Sequence, residues 1–293
     1  MIKRLAIETS DRAFLPEAYA YKDFFENIGI ECAFVGSREY DVKSYDAILI
    51  FHGFHPFWRS YPKYVIGEYH TLSTGRFSRL KDFIKRVFNV RADLNIFLNE
   101  RVREKLWFNP GKNRIYRSMG VPVAEYIALE GEGKHYDVVY AGSDRDGVLA
   151  AIEKLARLGL SVAVVGFDYS GDLSNIYSFG KVFPADARKI IASARFGLNY
   201  TPDVFPYNIQ DSTKVLEYCA AGLGVITNKY FWVNSFEENY DASFLDVEAV
   251  SLKSDVEQYE FKIPNIFLLD WKTVISESGI LQHRIFRNNI NVG

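Results

Sequence analysis

The chain has 293 residues, 48% hydrophobic and 25% charged, with a formal net charge of -2, which is long enough for two compact domains that each bury a core. No run approaches the roughly 18 apolar residues of a membrane span, and the opening MIKRLAIETSDRAF, broken by Glu8 and Asp11, reads as a first strand instead of a secretory signal. The two cysteines, Cys32 and Cys219, are far apart and lack metal-ligand spacing, which argues against a disulfide framework and against a structural zinc site and makes a cytoplasmic location the expectation.

In chain order, RLAIET (4–9) reads as a strand, residues 16–28 as a helix, and ECAFVG (31–36) and DAILIFHG (46–53) as strands. KYVIGEYH (63–70) follows, then an amphipathic helix over 76–88, the strand NIFLN (95–99), a helix over 100–107 and the strand RIYRSMGV (114–121). Such alternation is the signature of a doubly wound α/β domain. The segment VAEYIALEGEGKHY (123–136) is polar and glycine-bearing at its end, which suits a hinge, with a boundary near residue 125. The rhythm then restarts with DVVYAG (137–142), a helix over 148–158, SVAVVGF (161–167), YSFGKV (177–182), a helix over 185–194 and FGLNYTP (196–202). A helix over 212–221, GVITNK (224–229), ASFLDV (242–247) and a helix from about residue 270 complete it. The fold class expected is α/β, two Rossmann-like domains facing a central cleft: residues 1–125, residues 126–275, and a tail, 276–293, that braces the first domain. Ligands of open α/β sheets bind at the carboxyl ends of the strands. Neither half has the glycine fingerprint of a dinucleotide site or a P-loop, so those classes lack support.

The stretch TPDVFPYNIQDSTKVLEYCAAGLGVITNK (201–229) carries the chemistry. A polar loop enters a helix with Asp211 or Ser212 as N-cap, Thr213 and Lys214 in the first turn, and Gly222 at the end. Free N–H groups, a hydroxyl and an ammonium there suit a diphosphate. Glu217, three residues on, is placed to accept hydrogen bonds from two ribose hydroxyls. The alternative reading is a solvated ion pair between Lys214 and Glu217 on an ordinary amphipathic helix.

The segment STKVLEYCAAGLGVIT (212–227) resembles the donor site of GT-B glycosyltransferases of the group 1, family 4 type. It also resembles the donor site of the glucuronosyltransferase of xanthan assembly. The resemblance covers roughly residues 136–275. It implies that Lys214 contacts the diphosphate, with Ser212 and Thr213 beside it, and that Glu217 holds the ribose. DVVYAGSDRDG (137–147) resembles the family's opening strand and turn, which places Gly142 and Arg145 near the donor, and IYSFGKV (176–182) implies that Gly180, Lys181 and Val182 lie at the nucleotide base. Trp271, in LLDWKTVISESGI (268–280), resembles the tryptophan of the family's bracing helix and is then structural. Two departures stand out: the acid expected eight positions before Glu217 is replaced by Ile209, and Ser143 and Asp146 stand where basic residues are common, leaving Arg145 as the nearest cation.

In the first half, GEYHTLSTG (67–75) puts His70 at a strand end, where the family often has a histidine near the transferred sugar. His70 is therefore the catalytic candidate, with Glu68 and Glu8 as alternative bases. His52 and His55, in FHGFHPFW (51–58), belong to an aromatic acceptor wall or cap a loop. The segment 76–91 sets Phe77, Leu80, Phe83, Ile84, Val87 and Phe88 on one face and Arg76, Arg79, Lys81, Lys85 and Arg86 on the other, either to lie on an anionic membrane or to pack with a solvated basic face. Residues 1–120 hold 20 Lys and Arg against 14 Asp and Glu, out of chain totals of 35 and 37, so the first half is basic and the second acidic.

The expectation is transfer of a hexose-type sugar from a nucleoside diphosphate sugar, UDP-sugar favoured, to a hydroxyl of a cell-surface glycan or lipid-linked acceptor. No metal or other cofactor is obligatory and no nucleic acid is bound. The rivals are a GT-A enzyme using Asp144-Arg145-Asp146 as a metal motif, and a sugar-nucleotide or glycan-binding protein without turnover.

Overall fold

The computed structural model describes residues 2–9, 15–36, 40–51, 53–69, 73, 77–106, 113–131, 133–205 and 207–287. The chain forms two units: Met1–Met119 with Trp271–Gly293, and Gly120–Asp270.

The first unit runs β1 (Arg4–Thr9), α1 (Pro16–Glu26), β2 (Glu31–Gly36), β3 (Ala47–Phe51), β4 (Tyr64–Tyr69), α2 (Ser78–Phe88), β5 (Leu94–Phe97), α3 (Glu100–Lys105) and β6 (Arg114–Tyr116). Its six strands are all parallel, in the order β2-β1-β3-β4-β5-β6. Strand alternation divides the apolar residues between faces: Leu5, Ile7, Leu49 and Ile66 pack with Tyr21 and Phe25 of α1, while Ala6, Ile48, Ile50 and Val65 form the opposite core. Each fully buried large side chain contributes about 1.5–3 kcal/mol.

The second unit runs α4 (Val123–Ile127), β7 (Tyr136–Ala141), α5 (Val148–Arg157), β8 (Val162–Val165), β9 (Ile176–Ser178), α6 (Pro184–Ala192), β10 (Ala194–Asn199), α7 (Thr213–Ala220), β11 (Gly224–Thr227), α8 (Phe231–Tyr240), β12 (Leu245–Asp246) and α9 (Lys253–Glu257). Its parallel sheet has the order β12-β11-β10-β7-β8-β9. The core joins Val138, Tyr140, Val162 and Val164 to Ile152 and Leu155 of α5.

The last helix, α10 (Trp271–Glu277), lies in the first unit, where Ile275 and Phe286 enter the α1 core and Phe286 stacks on Phe25 at 5.1 Å. Trp271 packs on the Arg117 guanidinium, 5.1 Å from its carbon, and Tyr21 takes the same cation at 5.3 Å. Arg117 and Glu68 form an ion pair almost completely shielded from water.

Three local expectations differ from the structure. Residues 123–127 are helical instead of hinge-like, because Val123 and Tyr126 are buried. The strand expected over 114–121 stops at Tyr116. The stretch 231–240, unassigned from sequence, is helical, with Trp232 against Phe236 at 5.0 Å and Phe236 against Tyr240 at 4.6 Å.

Candidate functional site

In the second sheet the strand order reverses between β7 and β10, the topological switch point at which open α/β sheets bind ligands. The sequence places a glycine turn after β7 and, after β10, a polar loop leading into α7. Lys214, in the first turn of α7, lies directly on that turn: a methyl group added at Gly142 would stand 2.6 Å from Lys214 Cε and 3.0 Å from the Tyr140 hydroxyl. The Lys214 ammonium sits 5.6 Å from the centre of the Tyr140 ring. The Tyr140 hydroxyl donates to Ser143 O at 2.8 Å, fixing the turn.

Gly142 is held in turn by Gly166. Its N–H donates to Val165 O at 2.8 Å, and the Gly166 N–H donates to Gly180 O at 2.7 Å, so the ends of β7, β8 and β9 are tied in series. Gly166 has φ +113°, and a Cβ there would overlap the Gly142 carbonyl. At Gly180, φ is +59° and a Cβ would meet Asp168 Oδ1 at 2.8 Å. Beyond it, Lys181 is exposed and Val182 half-buried, leaving an accessible backbone edge next to the glycine chain.

The N-terminus of α7 is set by a buried polar network. Ser212 is its N-cap, but the hydroxyl does not cap the helix; it donates to Asn199 Oδ1 at 2.9 Å. Asn199 Nδ2 donates to Thr227 Oγ1 at 2.9 Å and to the Tyr230 hydroxyl at 3.3 Å. Asn199, Thr227 and Tyr230 are buried at the ends of β10 and β11 and just beyond. Satisfied networks of this kind fix a single geometry. Ser212 therefore orients the helix, and Thr213, next to it, is exposed.

Electrostatics distinguish the site from a surface ion pair. Arg145 lies in the exposed turn after β7, its guanidinium 5.3 Å from the Tyr207 ring centre. Among the described residues neither Arg145 nor Lys214 makes an ion pair within 4.0 Å. Burial, then the like charge of Arg145, pulls Lys214 down to about 8, against a partial opposing effect from Glu217. Burial pushes Glu217 up to about 7, although Lys214, Arg188 and Tyr126 hold it down. A solvated Lys–Glu pair would shift both groups the other way. Both residues keep some solvent contact, yet the surrounding protein outweighs their mutual attraction. The result is a pair of cations beside a helix N-terminus that itself favours an anion.

Around Glu217 the structure adds residues that the sequence did not single out. Tyr126 of α4 brings a buried hydroxyl beside it, which favours the charged carboxylate. Arg188 of α6 pairs with Glu125 and exerts its charge on Glu217. Only the folded α4, in a stretch that reads as a hinge, assembles this group. Tyr218 braces the same strands: its hydroxyl accepts from Ala141 N at 2.9 Å and donates to Leu198 O at 3.1 Å. Ile209, in the place of the first family acid, is buried. Asp144 and Asp146 are exposed, and no cluster of three His, Cys, Asp or Glu suited to a metal is found among the described residues.

The switch point of the first sheet lies between β1 and β3. There Glu8, buried at the end of β1, faces His55, with Oε1 and Nδ1 3.6 Å apart; His55 Nε2 lies 2.9 Å from Phe51 O. Burial raises the nearby Tyr40, and it pushes Tyr61 up to about 12; Glu8 adds to both shifts. Glu68 is committed to Arg117. The expected catalytic His70, with His52 and Arg76, lies outside the described residues. Among the described residues no helix is long and apolar enough to cross a membrane.

Residues 145–264 match a protein-family model described as "Glycosyl transferase-like". No curated protein sequence matches the chain. Among solved structures, the chain is similar to AviGT4, a glycosyltransferase involved in avilamycin A biosynthesis, with a TM-score of 0.67 and 14% identity over 99% of this chain and 98% of that one. It is also similar to Anabaena HepE in complex with UDP and glucose, with a TM-score of 0.58 and 9% identity over 99% and 98%. WaaG, a glycosyltransferase involved in lipopolysaccharide biosynthesis, gives a TM-score of 0.55 and 14% identity over 97% and 93%. The chain therefore has the GT-B fold of glycosyltransferases, with a glycosyl transferase-like domain over residues 145–264 of its second unit.

Proposed function

We propose that the protein transfers a hexose-type sugar from a nucleoside diphosphate sugar to a hydroxyl of a cell-surface glycan or lipid-linked acceptor. The observation that carries this reading is the meeting of Lys214, Arg145 and the α7 N-terminus at the β7/β10 switch point. In the reaction the acceptor oxygen bonds to the anomeric carbon while the bond from that carbon to the diphosphate breaks. The electron pair leaves with the nucleoside diphosphate, where Lys214, Arg145 and the helix N–H groups offset the developing charge. Glu217 holds the ribose, and the edge from Gly180 to Val182 meets the base. Uracil is favoured because HepE, similar in fold, was solved with UDP and glucose. The second unit is then the donor domain and the first the acceptor domain. An inverting course needs a base for the acceptor proton; His70 fills that role in this reading, with Glu8 beside His55 as the carboxylate alternative. No metal is required, and a lipid-linked acceptor fits a cytoplasmic protein working peripherally at the inner face of a membrane.

One observation favours a second reading, donor binding without turnover: Ile209 supplies no carboxylate where the family has its first acid. Incubation with UDP-, GDP- and ADP-sugars and a panel of glycan and glycolipid acceptors, with and without chelator, separates the two. Acceptor-dependent release of a nucleoside diphosphate that survives chelator supports transfer. Tight donor binding with no release across the panel supports the second reading.

A further inference from the structure

In α2 not one side chain is fully buried. Counting from Phe77, the apolar residues span an arc of about 140° at 3.6 residues per turn. Phe77 at its start is 63% exposed, Leu80 55% and Phe83 54%. The loop after β3 adds Phe54, Phe57 and Trp58, the last 61% exposed.

Loop and helix form one surface. The Phe57 N–H donates to Phe88 O, and the Val90 N–H to His55 O, both at 2.7 Å. Asn89 Nδ2 donates to Gly53 O at 3.0 Å, and Asn89 Oδ1 accepts from His55 N at 3.1 Å. The Trp58 ring meets Phe57 at 5.3 Å, Phe88 at 5.7 Å and Phe54 at 6.1 Å. So many large apolar side chains, fixed together by backbone bonds, exceed the scattered exposure normal for a monomer and call for a covering partner.

Charge selects that partner. Lys81 borders the apolar arc on one side and Arg79 and Arg86 on the other, all exposed, and Asp82 is the one acidic residue of α2. A second copy docking about a two-fold axis would press the same cations together. An anionic bilayer takes the apolar arc into the acyl boundary and lets the flanking lysine and arginines reach its headgroups. We propose that α2 and the 53–58 loop form a single two-element surface that seats the first unit on an anionic lipid membrane. The proposal deepens the peripheral-membrane part of the proposed function and does not depend on the donor site.

The test is co-sedimentation of the full chain with vesicles of phosphatidylcholine, alone or mixed with phosphatidylglycerol, alongside tryptophan emission. Binding to the anionic vesicles, weakened by salt, with a blue shift lost in Trp58→Phe, is the expected result. Arg79→Gln and Lys81→Gln should each weaken binding about five-fold, and the pair Trp58→Ser with Phe83→Ser should abolish it while the thermal melt stays native. Equal binding to both vesicle types, or to neither, overturns the proposal. So does a concentration-dependent dimer that Trp58→Ser dissolves. UDP titration of the native protein keeps the two readings apart: UDP binding without vesicle binding sinks the membrane surface alone, and vesicle binding without UDP binding sinks the donor site alone.

Discussion

Because burial and Arg145 hold the Lys214 ammonium at about 8, nucleotide affinity should carry a proton signature. Above that value the free protein loses the charge that meets the diphosphate, while binding the anion draws the proton back. The dissociation constant should then rise by about 25-fold between pH 7.5 and 9.5, a range where the phosphate groups, titrating near 6, no longer change charge. Calorimetric titration with UDP across this range, in buffers of different ionisation enthalpy, reads both the slope and the proton uptake. In Lys214→Arg the guanidinium stays charged throughout, and the curve should flatten. Stability moves the opposite way. The lysine keeps its proton up to about 10.5 when unfolded but only to about 8 when folded, so its contribution to stability rises with pH between those values. The affinity and this lysine's own contribution to stability therefore move in opposite directions with pH, and a thermal melt at each pH separates lost binding from unfolding. A flat native curve, or the same fall in Lys214→Arg, would refute the reasoning.

Glu217, pushed up to about 7 by burial, predicts an acid limb: UDP affinity rises as pH climbs through 7, and Glu217→Gln removes that rise and weakens binding by about 1 kcal/mol. The native protein holds this proton to a higher pH than the unfolded chain and loses stability as pH rises through 7, so Glu217→Gln should melt higher than native at pH 8; a lower melting point contradicts the assignment. Gly166→Ala, which forces a Cβ into the Gly142 carbonyl at φ +113°, should cost about 1–3 kcal/mol in denaturant unfolding, and an unchanged midpoint would show that the β7 and β8 turns do not abut. Glu68→Gln leaves the buried Arg117 charge without its carboxylate and should cost about 3–5 kcal/mol; a loss below 1 kcal/mol means that water reaches the pair.

The two parallel sheets are legible in the sequence because their strands are continuous apolar runs such as AILIF and VAVV, buried on both faces. Lys214 and Gly142, 72 residues apart, are also named from sequence, and a parallel sheet with a switch point brings them together. What sequence does not convey is direction. Ser212 reads as a ligand-facing hydroxyl, yet it turns to Asn199, a partner hidden at the end of the apolar run ARFGLN. Tyr126 and Arg188 acquire a role only when α4 packs on α7 and α6, and α4 is five residues long, too short for periodicity to declare it. The amphipathic pattern of α2 is visible from sequence, but whether its apolar side is buried is decided by tertiary packing, which leaves Leu80 and Phe83 more than half exposed.

The most direct test of the central claim is titration of UDP, GDP, ADP and CMP into the native protein and Lys214→Ala, without added metal. The account predicts that one nucleoside diphosphate binds, and that Lys214→Ala weakens it by about 1.5–3 kcal/mol, the scale of a charged hydrogen bond. If none of the four binds, or if affinity is indifferent to Lys214, the first turn of α7 is not a donor site.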